Sequence, residues 1–145
     1  MSLAEKIEPL LQIVAVQPQH MRPLWPHLSG YFKSFEERSD GSILAFDLYS
    51  QCVSGERQCW IASDGNVVKA CALTEIQKGP MNVVMLTFCA GEDMIEWRRE
   101  MVDTIKAWAK TVGSGRVIAI HRIGWTPFLK DEGFKVTHYF SEFKP

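Results

Sequence analysis

Hydrophobic positions along this chain change their period several times, and each change marks an element. Leu10 to Val16 (LLQIVAV) is a short apolar run rich in β-branched residues, which predicts a first strand that Pro18 ends. Met21, Leu24, Trp25, Leu28, Tyr31, Phe32 and Phe35 then recur at steps of three and four, the spacing of a helix with one apolar face. Pro18, Pro23 and Pro26 confine that helix to a late start or a kinked first turn, and Arg38-Ser39-Asp40-Gly41 breaks it. A second helical stretch carries Ile43, Leu44, Phe46, Leu48, Tyr49, Cys52 and Val53 before Gly55.

The period then shortens. Gln58 to Ala62 and Val67 to Ile76 read as strands joined by a turn at Ser63-Asp64-Gly65-Asn66, a strong hairpin pattern. Lys78-Gly79-Pro80 turns the chain into Asn82 to Cys89 (NVVMLTFC), a nearly continuous apolar run that predicts a strand buried on both faces. The clearest helix opens at Gly91-Glu92-Asp93. Met94, Trp97, Met101, Ile105, Trp108 and Val112 line one side of it, Arg99 and Asp103 are spaced to pair, and Gly113-Ser114-Gly115 stops it. Arg116 to His121 reads as another buried strand, Pro127 to Glu132 as a short helix ended by Gly133, and Phe134 to Phe143 as a closing strand by its alternation. The order is β-α-α-β-β-β-α-β-α-β, an α/β (α+β) chain with a mixed, mostly antiparallel sheet flanked by helices, expected as a single domain over residues 1–145.

Composition narrows the function classes. The formal charge is −1 over 145 residues, and the longest basic run is the pair Arg98–Arg99, so no field recruits nucleic acid or an anionic membrane. Met1 to Glu8 holds charges and no apolar run of signal-peptide length, and no stretch reaches the ~20 apolar residues of a membrane helix. Cys52, Cys59, Cys71 and Cys89 form no CxxC pair, which predicts reduced, buried thiols, no metal site and a cytoplasmic setting.

The succession of hairpin Trp60–Ile76, central strand and long helix Glu100–Gly113 (EMVDTIKAWAKTVG) resembles the GNAT superfamily of N-acetyltransferases. The likeness continues through Arg116–Arg122 into Leu129–Phe134 (LKDEGF), similar to the family's short helix ending in Gly-Phe. The resemblance implies an acyl-CoA donor, acetyl-CoA or another, whose pyrophosphate meets the start of the long helix. It also implies that the central strand parts from the next one to hold the thioester carbonyl. That places Phe88, Cys89 and Ala90 at the donor and makes Arg98 and Arg99 the cations for its phosphates.

The family's glycine-rich pattern, Gln/Arg-x-x-Gly-x-Gly/Ala, falls on Glu96 and Arg98 in one register and on Ala90-Gly91-Glu92-Asp93 in another. Glu92 and Asp93 also suit ordinary capping of a helix N-terminus. The position of the family's proton-donating Tyr falls on Leu129, leaving Tyr139 as the nearest phenol. His121 and Glu75 are the candidate bases, and Cys89 suits a small buried hydrophobe.

Two functions are therefore expected side by side. One is an acyl-CoA-dependent N-acyltransferase acting on a small amine or a protein amino group. The other is a catalytically degenerate GNAT-like binding or assembly protein, similar to some virion-associated bacteriophage components. The resemblance further implies a final strand that is missing or supplied by a partner, hence a homodimer through an exposed sheet edge.

Overall fold

The computed structural model of the protein describes residues 11–145. Leu10 of the expected first strand, and Met1 to Glu8, lie outside them. Strand β1 (Leu11–Val16) leads through a 3-10 turn, Pro18–His20, into helix α1 (Met21–Arg38). The turn accommodates Pro18, and Pro23 falls within the first turn of the helix, where a missing N–H costs little. Helix α2 (Ala45–Ser54) ends at Gly55, whose φ of 85° suits glycine.

Strands β2 (Arg57–Asp64) and β3 (Val67–Gln77) form the expected hairpin around Gly65-Asn66. Strand β4 (Asn82–Gly91), helix α3 (Met94–Thr111), strand β5 (Ser114–Ala119) and helix α4 (Thr126–Asp131) follow. The sheet order is β1-β2-β3-β4-β5, antiparallel throughout except for the parallel β4–β5 pair. This is the mixed α/β architecture expected from the sequence.

Two apolar layers clasp the sheet. Met21, Leu28, Phe32 and Phe35 of α1 and Leu48 and Cys52 of α2 pack on Cys59, Ile61, Cys71 and Leu73. On the other face Trp97, Met101, Ile105 and Ala109 of α3 pack on Trp60, Ala70, Ala72, Val84 and Leu86. The buried hydroxyl of Thr74 on that face is answered internally: Trp60 Nε1 donates to Thr74 Oγ1 at 2.9 Å. Helix α4 docks on α3 through Phe128 and Leu129 against Val102, and Gly133 (φ 91°) lets the Phe134 amide bond back to the Leu129 carbonyl at 2.9 Å.

The closing strand does not form. Residues 134–145 pair with no strand, and Tyr139 and Phe143 are 88 % and 86 % exposed. Alternation predicts a strand only where a sheet face is available to cover one set of side chains, and here none covers these. Strand β5 also ends at Ala119, short of His121, because its partner strand turns away there.

Gly91 marks the tightest backbone approach. A Cβ on it would lie 2.5 Å from the Lys69 carbonyl oxygen and 2.6 Å from the Ala70 Cβ. Gly91→Ala should therefore cost ~1–3 kcal/mol, as overpacking against a backbone does. Thermal unfolding should show a midpoint lower by several degrees, and an unchanged midpoint would contradict this packing.

Candidate functional site

The register of β4 opens the sheet. Its parallel pairing with β5 runs from Asn82 opposite Ser114 to Leu86 opposite Ala119, and the Ile120 amide adds a last bond to the Leu86 carbonyl at 3.0 Å. Beyond that point β4 pairs with β3 alone. On that side Leu73 faces Phe88 while Thr74 faces Leu86, so Thr87 is an extra residue, a β-bulge.

The bulge reverses which side chains face which layer. Val84 and Leu86 belong to the α3 layer. Thr87 and Phe88 both turn toward α1 and α2: Thr87 Oγ1 accepts from Arg57 at 2.8 Å, and the Phe88 ring lies 5.1 Å from that of Phe35. Cys89 then joins the α3 layer and Ala90 the α1–α2 layer. The expected segment Phe88–Ala90 is thus the arm of β4 that has left β5.

A polar network stands beside the bulge. Arg57 holds Gln51 Oε1 at 2.6 Å, Thr87 at 2.8 Å and the Glu75 carboxylate at 3.6 Å, with its guanidinium 5.8 Å over the Phe88 ring. Glu75 accordingly belongs to the α1–α2 side of the sheet. His121 sits on the other arm, one residue past the last β4–β5 bond, and is exposed. Its Nδ1 lies 2.7 Å from the Arg122 carbonyl, which can only accept, so Nδ1 donates and Nε2 is left without a hydrogen bond among the described residues. Tyr139 is not brought to this place by any strand. It stands in solvent on the unpaired C-terminal segment.

One residue at the opening escaped the sequence reading. Arg38, read there only as part of a helix break, donates to the Cys89 carbonyl at 2.7 Å from the last turn of α1. A single arginine after an apolar helical face carries no pattern that announces such a contact.

The start of α3 differs from expectation. Only Glu92 and Asp93 connect it to β4, and no side chain caps its amides. Glu92 and Asp93 are therefore not the capping acids expected. Asp93 takes a left-handed conformation (φ 53°), and Lys69, the bulged residue between Val68 and Ala70, collects Glu96 at 2.9 Å with Asp93 and Asp64 each at 3.8 Å.

Arg98 and Arg99 turn toward α4. Arg98 lies 4.4 Å over the Phe128 ring, and Arg99 reaches Glu132 at 3.4 Å in place of the Asp103 partner expected. Asp103 instead stands 4.0 Å from Lys106, which also meets Glu132. Leu129, where the resemblance implies a Tyr, is buried against α3.

Cys52, Cys59 and Cys71 are buried free thiols and Cys89 is half-buried, with Cys59 Sγ 3.7 Å from Cys71 Sγ. No group suited to hold a metal occurs among the described residues. Burial pushes the Cys89 thiol up to about 12, against a weaker opposing pull from Arg38.

The chain matches no protein-family model and no curated protein sequence. Solved structures do match. A predicted acetyltransferase from Clostridium acetobutylicum, with acetyl-CoA, is 15 % identical at a TM-score of 0.67, over 93 % of this chain and 96 % of that one. An aminoglycoside acetyltransferase from an uncultured soil metagenomic sample, in complex with sisomicin, is 12 % identical at 0.65, over 93 % and 97 %. A ribosomal-protein-alanine N-acetyltransferase from Brucella melitensis biovar Abortus 2308 is 9 % identical at 0.64, over 93 % and 98 %. The chain has the fold of the GNAT N-acetyltransferases. The bacteriophage side of the resemblance gains no support from these neighbours.

A thiol held near 12 reacts slowly, because the thiolate is the nucleophile. Alkylation of Cys89 by iodoacetamide at pH 8, followed by mass spectrometry, should run at least ~100-fold slower than that of an unstructured cysteine. Because the folded value lies above the ordinary thiol value of 9.0, this thiol's contribution to stability is whole below pH 9.0 and is lost as pH rises toward 12. Fast alkylation in the folded state would contradict the assignment.

Proposed function

We propose that this protein is an N-acyltransferase that uses an acyl-CoA thioester and accepts an amine on the α1–α2 side of the sheet. The observation that carries this reading is the opening between β4 and β5 past Leu86, with main chain from Thr87 to Gly91 released from β5. When bound there, a thioester would supply an activated acyl carbon: the amine nitrogen forms the new C–N bond, and the C–S bond breaks to release the thiol.

The residues present fit the acyl end of such a donor better than its pyrophosphate end. Phe88, Cys89 and Ala90 provide the main-chain wall of the slot. Glu75, held by Arg57, and His121, with Nε2 free, stand on the two sides of it as bases for the proton the amine loses. The amides at the start of α3 lack side-chain caps and remain available to an anion, but Asp93 and Glu96 crowd that end and Lys69 is their counter-ion. In this reading Arg98 and Arg99, the latter 69 % exposed, offset those acids at a phosphate. Tyr139 lies on a segment without fixed pairing, and the departing thiol takes its proton from water or from Tyr139 if that segment folds inward.

The acceptor is a small amine or a protein amino group. The free thiols suit a reducing compartment, the cytoplasm, and no helix among the described residues is long and apolar enough to cross a membrane. The outer edge of β5 is unpaired among the described residues, so a homodimer through that edge belongs to the same proposal. A second reading, a scaffold that binds without catalysis, draws on the acids at α3 and the buried Leu129.

Calorimetry with acetyl-CoA separates the two. Binding should appear, and a hundredfold excess over the dissociation constant should stabilise the fold by ~2–3 kcal/mol in a melting experiment. The double variant Arg98→Glu with Arg99→Glu should weaken binding at least tenfold. No heat and no melting shift at millimolar donor would defeat the acyltransferase reading, and unchanged affinity in the variant would remove the two arginines from the site.

A further inference from the structure

Arg38 is a cation placed at the mouth of the opening, and among the described residues most of its hydrogen-bonding capacity is unspent. A guanidinium carries five N–H donors in a planar fork. One, on an Nη, goes to the Cys89 carbonyl at 2.7 Å. The flat face looks toward the Phe35 ring, 6.0 Å away. Among the described residues no carboxylate forms an ion pair with it, although acids surround it in sequence.

Two of those acids are engaged elsewhere, and the third, the exposed Glu37, forms no ion pair with Arg38 among the described residues. Glu36 accepts from the Ala45 amide at 2.9 Å, and Asp40 pairs with Lys144. An unpaired guanidinium fixed by a backbone carbonyl and an aromatic ring is preorganised for an anion brought by a ligand, because its orientation is already set. The carbonyl that fixes it belongs to the β4 arm against which the acyl group would lie, so whatever anion it binds sits a few atoms from the reacting amine.

We infer that Arg38 recognises a carboxylate on the acceptor, so that the substrate class is amino-carboxylic acids, in which a carboxylate lies within a few bonds of the amine that is acylated. This rests on the acyltransferase reading for the identity of the site, and it restricts the acceptor within it. The cation also disfavours polycationic amines at the same mouth by like-charge repulsion.

The test uses the full chain and binding as its first readout. Glycine, alanine, β-alanine and γ-aminobutyrate are titrated by calorimetry beside the same compounds as carboxamides, and beside spermidine. At least one free acid should bind tenfold or more tightly than its amide and than spermidine. Arg38→Gln keeps a donor for the Cys89 carbonyl while removing the charge, and it should abolish that preference with an unchanged melting temperature. Arg38→Lys should retain part of it.

Acids and amides binding alike, failure of all the acids to bind, tighter binding of spermidine, or an unchanged preference in Arg38→Gln would each overturn the inference. Acetyl-CoA is titrated in parallel. Acid binding that depends on Arg38, without any donor binding, would defeat the acyltransferase reading and leave the carboxylate site standing. Donor binding without acid preference would do the reverse.

Discussion

Every feature of the candidate site depends on one irregularity in a hydrogen-bond ladder, the extra residue Thr87 in β4. A regular strand would continue its pairing with β5 and close the sheet. With Thr87 bulged, the local twist rises and the two strands part after the Leu86–Ile120 bond. The same residue changes which side chains face the α1–α2 layer, so that Phe88 reaches Phe35 and Thr87 reaches Arg57. A bulge leaves backbone groups unpaired, and its position is held here by three side chains from two elements: Arg57 at the start of β2, and Phe35 and Arg38 in the last turns of α1. The gap is thus built into the packing.

Charge just past the same, C-terminal end of β4 sets a second constraint. Helix α3 begins two residues after the strand, with Asp93 and Glu96 in the field of its own positive end. Lys69 meets these acids from the neighbouring hairpin, and it reaches them because it is itself a bulged residue whose carbonyl accepts the Glu92 amide at 2.9 Å. A phosphate ligand at this end would meet an ion cluster instead of an open glycine-rich loop. The proposed acyl slot and the proposed phosphate end therefore differ in how far they suit a donor, which is why the donor's binding, more than its chemistry, divides the two functional readings.

Much of the fold was legible because its signals are local. The period of three and four in Met21 to Phe35, Asp64-Gly65 between two apolar runs, and Gly133-Phe134 after a short helix each correspond to an observed element. What depended on partners was not legible. Phe134 to Phe143 alternates like a strand, yet no sheet covers its side chains. Arg99 and Asp103 have helical pairing distance, but Glu132, just past the end of α4, takes Arg99 instead.

The site was legible in outline for the same reason. Phe88 to Ala90 lie at the end of β4, where the order of elements puts them, while His121 falls two residues past the end of β5. Arg38, Arg57 and the bulge at Thr87 belong to contacts between distant segments, and an apolar run such as NVVMLTFC shows no break at Thr87. Glu75 could be named as a base candidate, but only the pairing of Arg57 with it fixes the face it occupies.

Backbone amide NMR during titration with acetyl-CoA probes the opening itself. Shift changes should concentrate in Thr87 to Gly91 and in Ile120 to Arg122, the two arms that part after Leu86. Changes confined to other regions, with those arms unmoved at saturating donor, would contradict the claim that the bulge at Thr87 creates an acyl slot.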